Sequence, residues 1–115
     1  MQEQMDFWLR LDHLVQDCPL VIDRPAGSRH PRWDFLYPYD YGYLEGSTAA
    51  DGGGIDAWRG SLPEARVTGV VCTVDGHKRD AEIKILIGCT REEMLAMLAV
   101  HNGDGQSGLL VEREG

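Results

Sequence analysis

The chain has 115 residues, 43% of them hydrophobic and 26% charged, which fits one small globular domain, 1–115, with a modest core. A net charge of -8 leaves no basic stripe to neutralise phosphates, which excludes a general nucleic-acid binder. No apolar run approaches the roughly 18 residues of a membrane span, and the acidic start lacks the basic opening of a secretory signal, so a cytoplasmic protein is expected. Cys18, Cys72 and Cys89 are odd in number and lack Cys-x-x-Cys spacing. They read as reduced, mostly buried thiols rather than bridges or zinc ligands.

In chain order, Met5, Phe7, Trp8, Leu11, Leu14 and Val15 recur at helical spacing and predict an amphipathic helix over 4–15, closed by Cys18-Pro19. Residues 20–23 form a short strand. Residues 25–33, rich in Pro, Gly and Arg, form a loop that carries the basic cluster Arg24, Arg29, His30 and Arg32. The aromatic run 37–44 suits an extended segment, 48–54 a turn, and 55–58 a strand. The β-branched run 67–74 opens a hairpin around 75–78. Its partner is 81–87, where Ile83, Ile85 and Ile87 alternate with Glu82, Lys84 and Leu86. Thr90 and Glu93 form a capping box for a second helix reaching about His101. A Gly-rich loop, 102–107, and a strand, 109–111, close the chain. Several short strands with two helices predict an α+β fold, as a small β-barrel or curved sheet with helical cover.

Two acidic pairs, each spaced five apart, stand out. Asp51 and Asp56 flank a glycine run, and Asp75 and Asp80 bracket the hairpin. Glycine allows tight loops that turn carboxylates toward one centre. Hard cations such as magnesium are held by such oxygen donors. Taken singly, Asp51 and Asp56 can equally be turn residues. Arg24, Arg29 and Arg32 are either a solvated loop or phosphate clamps, for which Arg offers bidentate geometry. Trp33 and Trp58 are assigned to packing.

The segment Tyr37-Pro-Tyr-Asp-Tyr-Gly-Tyr43, followed by Asp51-Gly-Gly-Gly-Ile-Asp56 and by Asp75, Asp80 and Lys84, resembles the soluble family I inorganic pyrophosphatases over about residues 20–88. The resemblance implies a mainly antiparallel, OB-like barrel of the pyrophosphatase type, with the two helices lying outside it. It implies magnesium-dependent hydrolysis of diphosphate to two phosphates, with manganese as an alternative ion. Asp51, Asp56 and Asp80 would ligate the tightest ion, and Asp75 a further one arriving with substrate. Tyr41 would hydrogen-bond near the attacking water. Arg24, Tyr37, Lys84 and Arg32 would bind phosphate.

The departures are specific. The middle aspartate of the family loop, which orients or deprotonates the water, is Gly53 here, which implies a weakened activity. Asp40, beside Tyr41, is the candidate replacement base. The family lysine falls on Glu82, and Lys84, sharing its strand face, is expected to point inward. Two other outcomes stay open: a phosphohydrolase of another diphosphate metabolite, and a catalytically silent metal- or phosphate-binding module. A chain with two apolar-faced helices and so small a core is expected to form a homo-oligomer.

Overall fold

The computed structural model describes residues 2–114. Helix α1 spans Gln2–Asp17, followed by strands β1 (Leu20–Arg24), β2 (Asp40–Leu44), β3 (Ile55–Arg59), β4 (Val67–Asp75) and β5 (Asp80–Ile87). Helix α2 (Arg91–Val100) and strand β6 (Gln106–Glu112) complete the chain. All strands join one six-stranded sheet in the order β1-β2-β3-β5-β4-β6. Only β3 and β5 run parallel; every other neighbouring pair is antiparallel.

The α+β class and both helices match the sequence reading. A closed barrel does not form, because β1 and β6 lie at opposite edges of the ladder. The extended segment also starts later than expected, at Asp40. Pro38 has no N–H to give to a ladder, and Tyr37 stays in the preceding loop.

Side chains alternate across the sheet and split the core in two. On one face Ile83, Ile85, Ile87, Ala57, Val70 and Leu44 pack with Trp8 and Leu11 of α1. On the other, Trp58, Val71 and Leu86 pack with Met94 and Met97 of α2, and with Tyr37 and Phe35 of the 25–39 loop. Each fully buried large side chain contributes about 1.5–3 kcal/mol, and Trp58, Leu44 and Leu86 are all 0% exposed.

Helix α1 is tied to the sheet by Asp12. Its carboxylate accepts from Val67 N at 2.9 Å and from Arg113 Nη1 at 2.9 and 3.1 Å. The capping box of α2 is formed as read: Thr90 Oγ1 accepts from Glu93 N at 3.2 Å, and Glu93 Oε1 accepts from Thr90 N at 2.8 Å. Glycine is required at position 42. A Cβ there would stand well inside contact distance of the Val21 carbonyl oxygen, so the β1–β2 approach admits no side chain. Two expectations fail at the surface. Cys72 is exposed on β4, and Trp33 is 56% exposed rather than packed. Among the described residues no helix is long and apolar enough to cross a membrane.

Candidate functional site

The α2 face of the sheet carries a cleft of about 570 Å³ where β1, β2, β3 and β5 meet the 25–39 loop and the α2–β6 connection. Arg24, Tyr37, Tyr41, Asp51, Asp56, Asp75, Glu82 and Lys84 all line it. Alternation explains how. On β3, Ile55 and Ala57 turn to the α1 core while Asp56 and Trp58 turn to the cleft side. On β5, Ile83 and Ile85 face α1 while Glu82 and Lys84 face the cleft.

Lys84 is the centre of this cleft and only 6% exposed. Its Nζ donates to Asp56 Oδ2 at 2.7 Å and to Glu82 Oε2 at 2.6 Å. Burial works against its charge, but the Asp56 and Glu82 carboxylates bonded to it outweigh burial and hold the ammonium above the usual lysine range. Tyr41 hydrogen-bonds within the same group, to Asp56 and Lys84. Burial, with Asp56 adding to it, pushes its phenol far above the ordinary value, so Tyr41 presents a neutral hydroxyl at neutral pH. Its ring lies 4.6 Å from Trp58 and 5.4 Å from Tyr37. Tyr37 is likewise pushed up by burial, opposed by a hydrogen bond with Arg24.

Behind Tyr41, Trp58 Nε1 donates to His101 Nε2 at 2.9 Å. Burial, with Lys84 beside it, lowers His101 to about 4, so it is neutral at pH 7 and fixes the floor of the cleft. An apolar cavity of about 370 Å³, lined by Ala49, Ile55, Ala81 and Ile83, backs onto Asp56 and Glu82.

The other carboxylates are partly committed to the backbone. Asp51 Oδ1 accepts from Gly53 N at 2.9 Å, and Asp75 Oδ1 accepts from His77 N at 2.9 Å and Lys78 N at 3.1 Å. Hydrogen bonds from that turn hold the Asp75 carboxyl below its usual value.

Three expected residues fall outside the cleft. Asp80 pairs opposite Asp75 at the start of β5 but is exposed, beyond the lining of the cleft. Asp40 is adjacent to Tyr41 on β2, so it points to the opposite face, and its Oδ1 accepts from Ala26 N at 2.8 Å. That carboxylate braces the loop and cannot serve as base beside Tyr41. Arg32 is exposed and contributes only its backbone, which donates to His30 Nδ1 at 3.0 Å. Arg24, by contrast, does line the cleft. Lys84 points inward as read, and it pairs with Asp56 directly. Lys78, Asp104 and Gln106 also line the cleft. The last two had no signal beyond a Gly-rich loop.

The carboxylates of the cleft, which stand beside the imidazoles of His30 and His101, are oxygen donors of the kind that suits magnesium. Among the described residues, however, no group of three or more His, Cys, Asp or Glu side chains is gathered closely enough to hold an ion.

No protein-family model matches the chain, and no curated protein matches it.

Proposed function

We propose that the chain is a magnesium-dependent inorganic diphosphatase, acting in the cytoplasm on pyrophosphate, with the Lys84-centred cleft as its active site. The supporting observation is the convergence in one cleft of Asp51, Asp56 and Asp75 with Arg24, Tyr37, Tyr41 and Lys84. This is the residue set that the sequence resemblance to family I pyrophosphatases assigns, apart from Asp80 and Arg32. In the same proposal the fold is a shortened pyrophosphatase-type barrel that is left open between β1 and β6.

The balance of charge supports a cation requirement. Six carboxylates, Asp23, Asp51, Asp56, Asp75, Glu82 and Asp104, face three cations, Arg24, Lys78 and Lys84. A diphosphate entering alone would meet a net negative surface, whereas bound cations reverse the local field. Magnesium, when bound, would acidify a water and offset charge on the leaving phosphate.

The chain's own residues supply the rest. Asp56 shares only its Oδ2 with Lys84, so a cation bound by this carboxylate would compete with the ammonium and turn it toward a phosphate oxygen. Tyr41, held neutral, donates its hydroxyl toward the attacking water or a phosphate oxygen. Arg24 offers a planar fork to phosphate. With Asp80 outside the cleft, Glu82 takes its place as the β5 ligand. Self-association belongs to the same proposal, supported by the exposed Val74, Leu109 and Val111 on one sheet face, and the solution mass of the purified protein tests it.

Phosphate release from pyrophosphate, measured with and without magnesium for the wild type and Asp56→Asn, tests the reading. Magnesium-dependent release that is lost in the variant is the expected result. Release that ignores both magnesium and the variant would sink it. One observation favours a second reading, a silent metal- and phosphate-binding module: position 53 is glycine, and Asp40 is committed elsewhere. Retained binding of magnesium and phosphate with no turnover would identify that module.

A further inference from the structure

We propose that this cleft takes a nucleoside diphosphate, with the planar base against Trp33 and the diphosphate on the charged floor around Lys84. The inference rests on the diphosphate-hydrolysing reading of the same cleft and adds a second substrate class to it.

Three observations carry it. First, Trp33 lines the cleft although it is 56% exposed, and it comes from the loop that also supplies His30 and Phe35 to the lining. A lone exposed apolar residue on a surface is ordinary. An exposed indole on the wall of a cleft full of ionic groups is different, because it offers a flat apolar face beside a phosphate-binding floor.

Second, the backbone that carries the indole is held in place. His30 Nδ1 accepts from both Arg32 N and Trp33 N at 3.0 Å, which pins the chain at the base of the side chain. From His30 a ladder of rings descends to the floor. His30 is 5.0 Å from Phe35 and 6.0 Å from Tyr37, and Tyr37 is 5.4 Å from Tyr41, which meets Asp56 and Lys84. One wall is thus aromatic from rim to floor.

Third, the cleft is larger than two phosphate groups require. Its volume of about 570 Å³ lies within the roughly 300–1,000 Å³ of sites that enclose drug-sized ligands.

The lining also includes Asp104 and Gln106, which can bond sugar hydroxyls. An alkyl tail would instead need an enclosed apolar channel. Base–aromatic stacking tolerates any base, because every base has a π face, so the class is nucleoside diphosphates rather than one nucleotide. In hydrolysis the water oxygen bonds the terminal phosphorus. The bridging P–O bond breaks with its electron pair on the nucleoside monophosphate, and the water proton leaves to solvent with the products.

Calorimetric titration with magnesium present tests this on the wild type, Trp33→Ala and Trp33→Phe, using ADP in one series and imidodiphosphate in the other. The expected result is that ADP binds the wild type more tightly than imidodiphosphate does. Trp33→Ala should lose about tenfold or more for ADP alone, and Trp33→Phe should restore most of it. If imidodiphosphate binds but ADP gains nothing, or if Trp33→Ala leaves ADP unchanged, this inference falls and the diphosphatase reading stands. If neither ligand binds folded protein, both fall.

Discussion

The two faces of the sheet are built from the same strands and differ in kind. Under α1, Ile55, Ala57, Ile83 and Ile85 make an apolar layer, with the Asp12–Arg113 pair at its margin. On the opposite face, the intervening residues Asp56, Glu82 and Lys84 place three ionic groups in one partly buried cluster. Replacing a buried ion cluster by well-packed apolar residues is often neutral or stabilising by about 1–4 kcal/mol. The α1 face shows that this chain has the residues to do so. A buried lysine between two carboxylates is thus weak as a stabilising device, which suits the active site proposed for this face.

Breaking each face separately sharpens the contrast. The largest effect belongs to the apolar face: Trp8→Ala should destabilise the fold by about 3–5 kcal/mol in a denaturant melt while leaving the affinity of the folded protein for magnesium unchanged. Acid is the next largest perturbation, and it enters through the other face. His101 is lowered to about 4, whereas an unfolded histidine titrates near 6.5. Its contribution is therefore complete above about pH 6.5, is lost as pH falls from about 6.5 to about 4, and is flat below. The total is on the order of 3 kcal/mol. His101→Gln should flatten that part of a stability–pH profile.

Gly53→Asp should act on chemistry alone. Gly53 does not have positive φ, and an added Cβ would come no nearer than 3.4 Å to Asp51 Oδ1, so the loop admits the side chain. A positioned base is worth about 10²–10⁴-fold in rate, so turnover should rise by about 10²-fold with little change in melting temperature. The smallest effect is Thr90→Ala, which removes the cap of α2 and should lower stability by about 1 kcal/mol with turnover intact.

Much of this was legible in the residues. The capping box announced α2, and the alternation of Ile83, Ile85 and Ile87 with Glu82 and Lys84 fixed both faces of β5. Asp51 and Asp56 were singled out by their spacing around glycines and both line the cleft, although Asp51 also does what a turn aspartate does, accepting from Gly53 N. Asp40 was misread against a rule already available: neighbours on a strand point to opposite faces, so Asp40 and Tyr41 could not share a site. The remainder was tertiary. The position of Asp80 beyond the cleft depends on how far the hairpin projects. The open sheet depends on the parallel β3–β5 pairing, a long-range contact with no local signal. Trp33 and Cys72 are exposed because of what does not cover them, which local periodicity cannot report.

The proposed active site requires that Lys84 hold the place of a cation between Asp56 and Glu82. Calorimetric magnesium titration of the wild type and Lys84→Met, with melting temperature followed in parallel, tests it most directly. With the ammonium gone, Asp56 and Glu82 face each other uncompensated. The account predicts tighter magnesium binding in the variant and a larger magnesium-induced rise in its melting temperature, since a ligand that binds only the folded state stabilises it. Magnesium binding that is unchanged or weakened in a folded Lys84→Met variant would contradict the account and leave Lys84 as a structural ion pair.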